Sequence, residues 1–383
     1  MAAGVKVIFV LAGLFLIWIA LRDVFLSVVL PRAADRRLRL SAILARALWR
    51  LWQLLAKTYS NEDRRESFLG TFAPFSLMTQ LALWVVVLIF GFGTLLYGLP
   101  NAFHPHSITY ANALYFAGAS LLTIGYGDIT PASEWARAIS LAAGASGLAV
   151  VALTASFLFS IFGAFRRRES FVATLGARAG SPPSGVGLLA IAGYVNLRED
   201  LNVVFRQGQV WTAELMESHL AYPILAYYRS SHDYESWVTT LGTLLDAAAL
   251  VITTVDRSAS TERFDASGQA RILFNIGRHA AHDLAHYYRL RPEDVVGLER
   301  AEFEHACDRL STAGFSIRDR EAAWESFCDL RKGYAGHLNA LARWLAVPPL
   351  RWTGDNIFIE AGHLRSQLPE RLLRHLRDFD KEF

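Results

Sequence analysis

Cysteine is scarce in this sequence: its 383 residues hold two, Cys307 and Cys328, and neither stands in a C-x-x-C or cysteine–histidine metal spacing. That leaves nothing for a disulfide framework or a cysteine-built zinc site, and both residues read as reduced thiols of a cytosolic region. Lysine is also rare, and the basic side of a net charge of only +3 is almost all arginine, so no nucleic-acid partner is expected. No Ser/His/Asp set, P-loop or paired-carboxylate spacing stands out, which removes the usual footing for an enzyme; no cofactor and no bound metal are expected. What the chain has in quantity is apolar surface. Its hydrophobic residues make up 53% of the whole, and the mean hydropathy is +0.25, more apolar than a soluble globular protein requires.

Three stretches are long and apolar enough to cross a bilayer, whose core of about 30 Å takes about 20 helical residues. They are residues 5–30, 74–99 and 137–165. The first is uncharged over 7–21, meets Arg22-Asp23, and resumes as far as Pro31. An opposite-charge pair near one end can lie against protein or reach the interface. The competing reading, a cleaved signal peptide, lacks a clear small-x-small site after the apolar run. Basic residues concentrate on the cytoplasmic side of a membrane. Arg32, Arg36, Arg37, Arg39, Arg46, Arg50, Lys57, Arg64 and Arg65 lie between the first and second spans, and Arg166, Arg167 and Arg168 follow the third. Residues 100–136 contain no lysine or arginine. The expected topology puts the amino terminus and residues 100–136 outside, with everything after the third span in the cytoplasm.

In the first inner loop, Leu38, Ile43, Leu44, Leu48, Leu51, Trp52 and Leu55 recur at helical spacing against Arg39, Arg46 and Arg50, which predicts an amphipathic helix at the inner interface. A voltage sensor would need arginines at every third position of a spanning helix, and the loop has no such array. Beyond Arg168 the composition changes. Gly180-Ser181-Pro182-Pro183-Ser184-Gly185 reads as a linker, and stretches 213–229, 236–255, 270–290 and 321–345 carry helical patterning. The run 241–255 is too short to span and contains Asp246, which reads as a paired or hydrogen-bonded residue of a buried helix. The expected plan is a transmembrane helix over 1–31, a basic amphipathic segment over 32–73, a pore-like unit over 74–168, a linker over 169–185 that alone joins the halves, and an α-helical cytoplasmic domain over 186–383. The fold class is an all-α membrane protein.

The residues with the most specific chemistry are Thr123-Ile124-Gly125-Tyr126-Gly127-Asp128. A cation that crosses a membrane must exchange its water shell for oxygens of similar geometry, and backbone carbonyls of several chains can supply them. For successive carbonyls to face one axis, alternate residues must adopt conformations that side chains resist, which accounts for Gly125 and Gly127. Thr123 adds a hydroxyl, Ile124 and Tyr126 turn their bulk outward, and Asp128 places negative charge at the outer mouth.

This string, with Leu122 before it and Ile129-Thr130-Pro131 after it, resembles the selectivity filter of the potassium-channel family, and the resemblance extends over residues 74–165. It implies a homotetramer with one pore loop per chain in a lipid bilayer. The carbonyls of Thr123, Ile124, Gly125 and Tyr126 and the Thr123 hydroxyl would then bind K+. It also implies a pore helix over 108–121, and it matches Trp135 and Arg137 at the start of the inner helix. Two positions depart from the family: Tyr115-Phe116 stand where many relatives have a tryptophan pair, and Ala119 where some have an acid. Gly147 lies where the family commonly has a gating hinge, although small residues there also let membrane helices approach closely. Phe159, farther along, would narrow the inner mouth. A potassium transporter subunit and a sensor with a vestigial pore are the alternatives. The single intact loop favours the channel over a transporter, whose chain carries four imperfect loops.

Two further patterns are weaker. Gly185-x-Gly187-x-x-Ala190 imitates a dinucleotide fingerprint but follows a proline-rich linker instead of a strand. His279, His282, Asp283 and His286 share one predicted helix, with His282 and His286 at i, i+4, a spacing that can serve a metal or sense pH.

Overall fold

The computed structural model describes residues 3–30, 40–105, 109–180, 182–230, 236–256, 266–293, 298–347 and 352. The chain divides into two units, Met1–Arg166 with Glu217–Arg229, and Arg167–Met216 with Ser230–Phe383. Arg32, Arg36, Arg37 and Arg39 of the inner loop lie outside the described residues, as does Ile108 at the start of the expected pore helix.

In the first unit, α1 (Ala3–Val24) continues as a π-helical turn over Phe25–Val29, and α2 (Leu40–Ala56), α3 (Glu62–Gly70) and α4 (Phe72–Gly98) follow. Among the described residues, three helices are long and apolar enough to cross a membrane: Gly4–Val29, Asp63–Gly98 and Glu134–Ala179. Lipid offers no hydrophobic force between helices, so close van der Waals contact has to hold them together. Glycines permit this between α1 and α4. A Cβ on Gly13 would fall 2.5 Å from the Leu95 amide nitrogen, and one on Gly91 would fall 2.8 Å from Ile17 Cγ1.

The charge in the first span is buried and satisfied. Asp23 is 2% exposed, and its carboxylate accepts from Trp84 Nε1 at 2.8 Å and Gln80 Nε2 at 3.3 Å on α4. It also accepts from the Ser41 amide and Ser41 Oγ, each at 3.2 Å, at the start of α2. A buried carboxylate is costly unless its oxygens are filled with donors, and these four donors fasten the start of α2 to the carboxyl end of α1 and the amino-terminal half of α4. The amphipathic helix expected in the inner loop is α2.

The second unit is helical among its described residues. Its elements are α7 (Gly185–Tyr194), α8 (Asp200–Ala221, of which Asp200–Met216 fall here), α9 (Trp237–Thr253), α10 (Ser267–Tyr287), α11 (Arg300–Thr312), α12 (Arg320–Lys332) and α13 (Ala335–Trp344). Helix α9 is apolar nearly all round and buried accordingly, with α7, α10, α12 and α13 against it. Asp246 sits in α9 as a paired core residue. The Tyr334 hydroxyl donates to it, and Arg331 Nε lies 3.8 Å away. Burial pushes the Asp246 carboxyl above the ordinary range, against the opposing pull of Arg331 and Tyr334. Cys307 and Cys328 are free, and burial raises the Cys307 thiol to about 11, so it carries little thiolate.

Four expectations need correction. Residues 169–179 are the last turns of a helix, α6 (Glu134–Ala179), and not linker. Nothing in Glu169-Ser170-Phe171-Val172-Ala173-Thr174 breaks a helix, and the stop comes at Gly180, whose φ is +87°, followed by Pro182 and Pro183. The helix predicted over 213–229 ends at Ala221 and gives way to a 3-10 turn over Pro223–Tyr227, because proline cannot continue it. Residues 217–229 moreover group with the first unit, so 169–185 is not the sole covalent connection between the two units. The predicted helix 321–345 is two helices, parted at Gly333-Tyr334. Gly185 and Gly187 open α7 under a Ser184 cap whose hydroxyl accepts from the Gly187 amide at 2.9 Å. The element directly before them is α6 and not a strand, so the dinucleotide fingerprint lacks its βα turn.

Candidate ion-conduction site

The site is built from the end of one short helix and the loop that leaves it. Helix α5 (Tyr110–Leu121) starts at Thr109, whose hydroxyl accepts from the Asn112 amide at 3.2 Å, a cap that supplies one of the acceptors a helix start lacks. Its amino end is held to α4 by the hydrogen bond between Thr94 Oγ1 and the Tyr110 hydroxyl, 2.8 Å. Phe9 of α1 packs its ring on Tyr97 and Tyr110, with centroids 5.3 and 6.0 Å apart.

At its other end the chain leaves α5 by turning back on the helix's own free carbonyls. The Thr123 amide donates to Ser120 O at 3.1 Å, and the Ile124 amide to Ala119 O at 2.8 Å. From there the backbone alternates. Thr123, Gly125 and Gly127 have φ of +56°, +63° and +81°, whereas Ile124 and Tyr126 do not enter the left-handed region. Threonine there is uncommon, since a β-branched side chain resists the conformation. Alternation of this kind turns successive carbonyls toward one side, where they can act together as ligands for a cation. The stretch from Leu122 to Asp128 is exposed in the single chain, and a Cβ on Gly125 or Gly127 would meet nothing within 4 Å.

The return path is pinned by a two-stranded antiparallel pair, β1 (Phe103–His104) with β2 (Thr130–Pro131), in the register Phe103 to Pro131 and His104 to Thr130. Behind it lies a small core of Leu96, Ala102, Phe103, Ala113, Phe116 and Ala136. Phe116, at a position where the resemblance led to tryptophan, is thus a packing residue that meets Phe103 edge-on at 5.3 Å. Tyr115, the other departure, stacks on Tyr126 at 6.3 Å. The sequence alone did not reveal that brace, because nothing in its spacing says which way Tyr115 turns.

Helix α6 runs unbroken past the loop. Gly147 abuts the end of α5, where a Cβ would fall 1.8 Å from the Leu121 carbonyl oxygen. Leu141, Leu148, Val151, Phe159 and Phe162 are exposed along α6, and Phe159 is 79% exposed. These residues recur at helical intervals and leave an apolar face bare in the single chain.

The histidines are elsewhere, in the second unit. His279 Nε2 and His282 Nδ1 each lie 3.3 Å from the Asp283 carboxylate. The rings of His282 and His286 are parallel at 6.2 Å. His337 of α13, which spacing could not link to them, stands 5.3 Å from His282. Burial, and then the neighbouring His282, lowers the His337 imidazole below its ordinary pKa. Among the described residues no group of three histidine, cysteine, aspartate or glutamate side chains is arranged to hold a metal ion.

A membrane-spanning helix, a short helix that ends at a loop of alternating handedness, and a second spanning helix define a class. Residues 83–164 match a family model described as "Ion channel", and the chain is an all-α membrane protein. It is also similar to the uncharacterized membrane protein YdjJ of Bacillus subtilis (strain 168), at 24% identity over 212 residues, which are 52% of this chain. The match spans 58% of the length of that protein. No solved structure matches the chain.

Proposed function

We propose that the chain is one of four identical subunits of a potassium-selective channel that conducts K+ passively. The observation that carries this reading is the alternation at Thr123, Gly125 and Gly127, whose left-handed φ values of +56°, +63° and +81° sit on a loop at the carboxyl end of α5. In this reading the carbonyls of Thr123, Ile124, Gly125 and Tyr126, together with the Thr123 hydroxyl, replace the hydration shell of K+, and the partial negative charge at the α5 carboxyl end favours the cation. Asp128 raises the local cation concentration at the mouth. The exposed loop and the bare apolar face of α6 support assembly into a tetramer, since one chain supplies neither a closed ring of oxygens nor a lined pathway. Phe159 is the residue assigned to the inner constriction. A transporter subunit and a vestigial pore are the alternative readings.

Purified protein in liposomes loaded with K+ is expected to carry K+ flux down a gradient without nucleotide, with Na+ excluded at least about tenfold. Flux that requires ATP or a coupled ion would favour a transporter, and absence of flux would favour the vestigial pore.

The charge asymmetry supports an arrangement in which residues 100–136 face outward and residues 186–383 form a cytoplasmic regulatory domain. A cysteine at His104, an exposed position of β1, is expected to react with an impermeant thiol reagent on intact cells. A cysteine at Glu62 should react only after permeabilisation. The reverse labelling pattern would overturn the topology.

A further inference from the structure

Residues 217–229 stand apart from their neighbours in the chain. They group with the first unit, although the chain enters them from the second-unit part of α8 and leaves them toward α9. Their aromatic residues face three different elements of the first unit, α6, α2 and α4. Tyr222 packs on Phe157 with centroids 5.5 Å apart, and Tyr228 packs on Phe162 and Phe165 at 6.2 and 5.5 Å, all on the last membrane turns of α6. Tyr227, between them in sequence, packs on Trp49 of α2 and Phe72 of α4, each at 4.9 Å. Arg229 completes the attachment with an ion pair to Glu66 of α3, Nη1 to Oε2 at 2.9 Å. Tyr227 and Tyr228 are each 8% exposed and Leu225 is fully buried, so the segment is embedded and not draped over a surface.

We propose that residues 222–229 are a latch that ties residues 157–165 of α6 to α2, α3 and the start of α4, and that the second unit sets the pore's opening through it. This rests on the reading of the chain as a channel. The physical ground is that a short, proline-started 3-10 turn and the two residues that flank it carry both sets of contacts. The stretch of α6 around Phe159 cannot swing or rotate without either parting Tyr222 and Tyr228 from Phe157, Phe162 and Phe165, or dragging Tyr227 off Trp49 and Phe72. Both ends of the latch continue into second-unit helices, so a change of shape there is delivered by the covalent chain. Coupling of this sort needs only that the two arrangements of α6 differ in their contacts with the latch.

The test uses the full-length protein, with single-channel K+ current in one lipid and amide hydrogen exchange of α6 over residues 157–168 as independent readouts. Tyr228→Leu and Tyr222→Leu should change open probability roughly fivefold or more with the K+ over Na+ ratio unaltered. They should also speed exchange at those amides about tenfold. Arg229→Glu should behave likewise, and the charge swap Glu66→Arg with Arg229→Glu should return both readouts toward those of the unaltered protein. Conduction by the unaltered protein, with open probability unmoved in all these variants, would overturn the latch and leave the channel standing. A protein that does not conduct would overturn the channel reading instead. The exchange measurement would still decide whether the segment holds that stretch of α6: exchange unchanged by Tyr222→Leu and Tyr228→Leu would sink the tie itself.

Discussion

Gly125→Ala is expected to reduce the K+ over Na+ permeability ratio by more than about tenfold, or to abolish flux, while the chain still reaches the membrane. The reason is conformational and not steric. At φ +63° a Cβ on Gly125 would touch nothing within 4 Å of its own chain, so no neighbour has to move. An L-residue nevertheless pays about 1–2 kcal/mol to hold a left-handed backbone, and in a tetramer the penalty is imposed four times on one ring, on the order of 4–8 kcal/mol in all. The cheapest relief is rotation of the adjoining peptides toward negative φ, which swings their carbonyls off the axis. Thr123 shows what it takes to hold a side chain in that conformation. Its φ of +56° is secured by its amide bond to Ser120 O at 3.1 Å and by the next amide on Ala119 O at 2.8 Å. Gly125 has a longer bond, 3.4 Å to the same Ala119 oxygen, and little else to resist the flip. Reversal potentials under mixed K+ and Na+ gradients check the result, and an alanine variant with its selectivity intact would mean that Thr123–Asp128 is not the filter.

The features legible in the sequence are those written in short-range spacing. Hydropathy over about 20 residues marks a span whatever surrounds it, so three helices could be placed in advance. The order Thr-Ile-Gly-Tyr-Gly-Asp carries its own backbone requirement, so the left-handed residues were foreseeable at Gly125 and Gly127, though not at Thr123. What could not be read are pairings between distant residues. Asp23 gave no sign that its donors are Gln80, Trp84 and Ser41, and periodicity on α10 could not bring His337 to His282. The largest omission is the segment 217–229. Its tyrosines look like the apolar stripe of an ordinary cytoplasmic helix, and only the fold puts Tyr227 on Trp49 and Tyr228 on Phe165. The length of α6 was misjudged for a related reason. Hydropathy ends at Arg166 because the bilayer ends there, but the helix depends on backbone bonds and continues until glycine and two prolines stop it.

Gly147→Ala is the second substitution with a large expected effect, because it separates two roles that the sequence could not. If Gly147 were chiefly a hinge, alanine would stabilise α6 by about 1 kcal/mol, leave the pore assembled and alter only the ease of opening. The structure adds a contact that predicts otherwise. A Cβ at 147 would fall 1.8 Å from the Leu121 carbonyl oxygen, 2.8 Å from its carbonyl carbon and 3.1 Å from Leu121 Cγ. Two of those three atoms are backbone, so no rotamer change relieves the clash, and α5 must move away from α6. Overpacking of this kind costs about 1–3 kcal/mol and often more when backbone has to shift. Leu121 is also the last residue of α5, and the loop that follows it is tied to the same turn by the Leu122 amide on Gly118 O and the Thr123 amide on Ser120 O. Displacement there passes directly into the position of Thr123 and the carbonyls beyond. Gly147→Ala is therefore expected to lower the melting temperature of the detergent-solubilised protein by several degrees and to remove K+ selectivity together. Gly144→Ala is the comparison: its Cβ would stand 3.3 Å from Ser120 O, a gap that a few tenths of an ångström can open, so both properties should change little. A Gly147→Ala protein that melts and selects as the unaltered one does, with only its open probability changed, would show that α5 tolerates the extra atom and that the bend of α6 is what glycine provides.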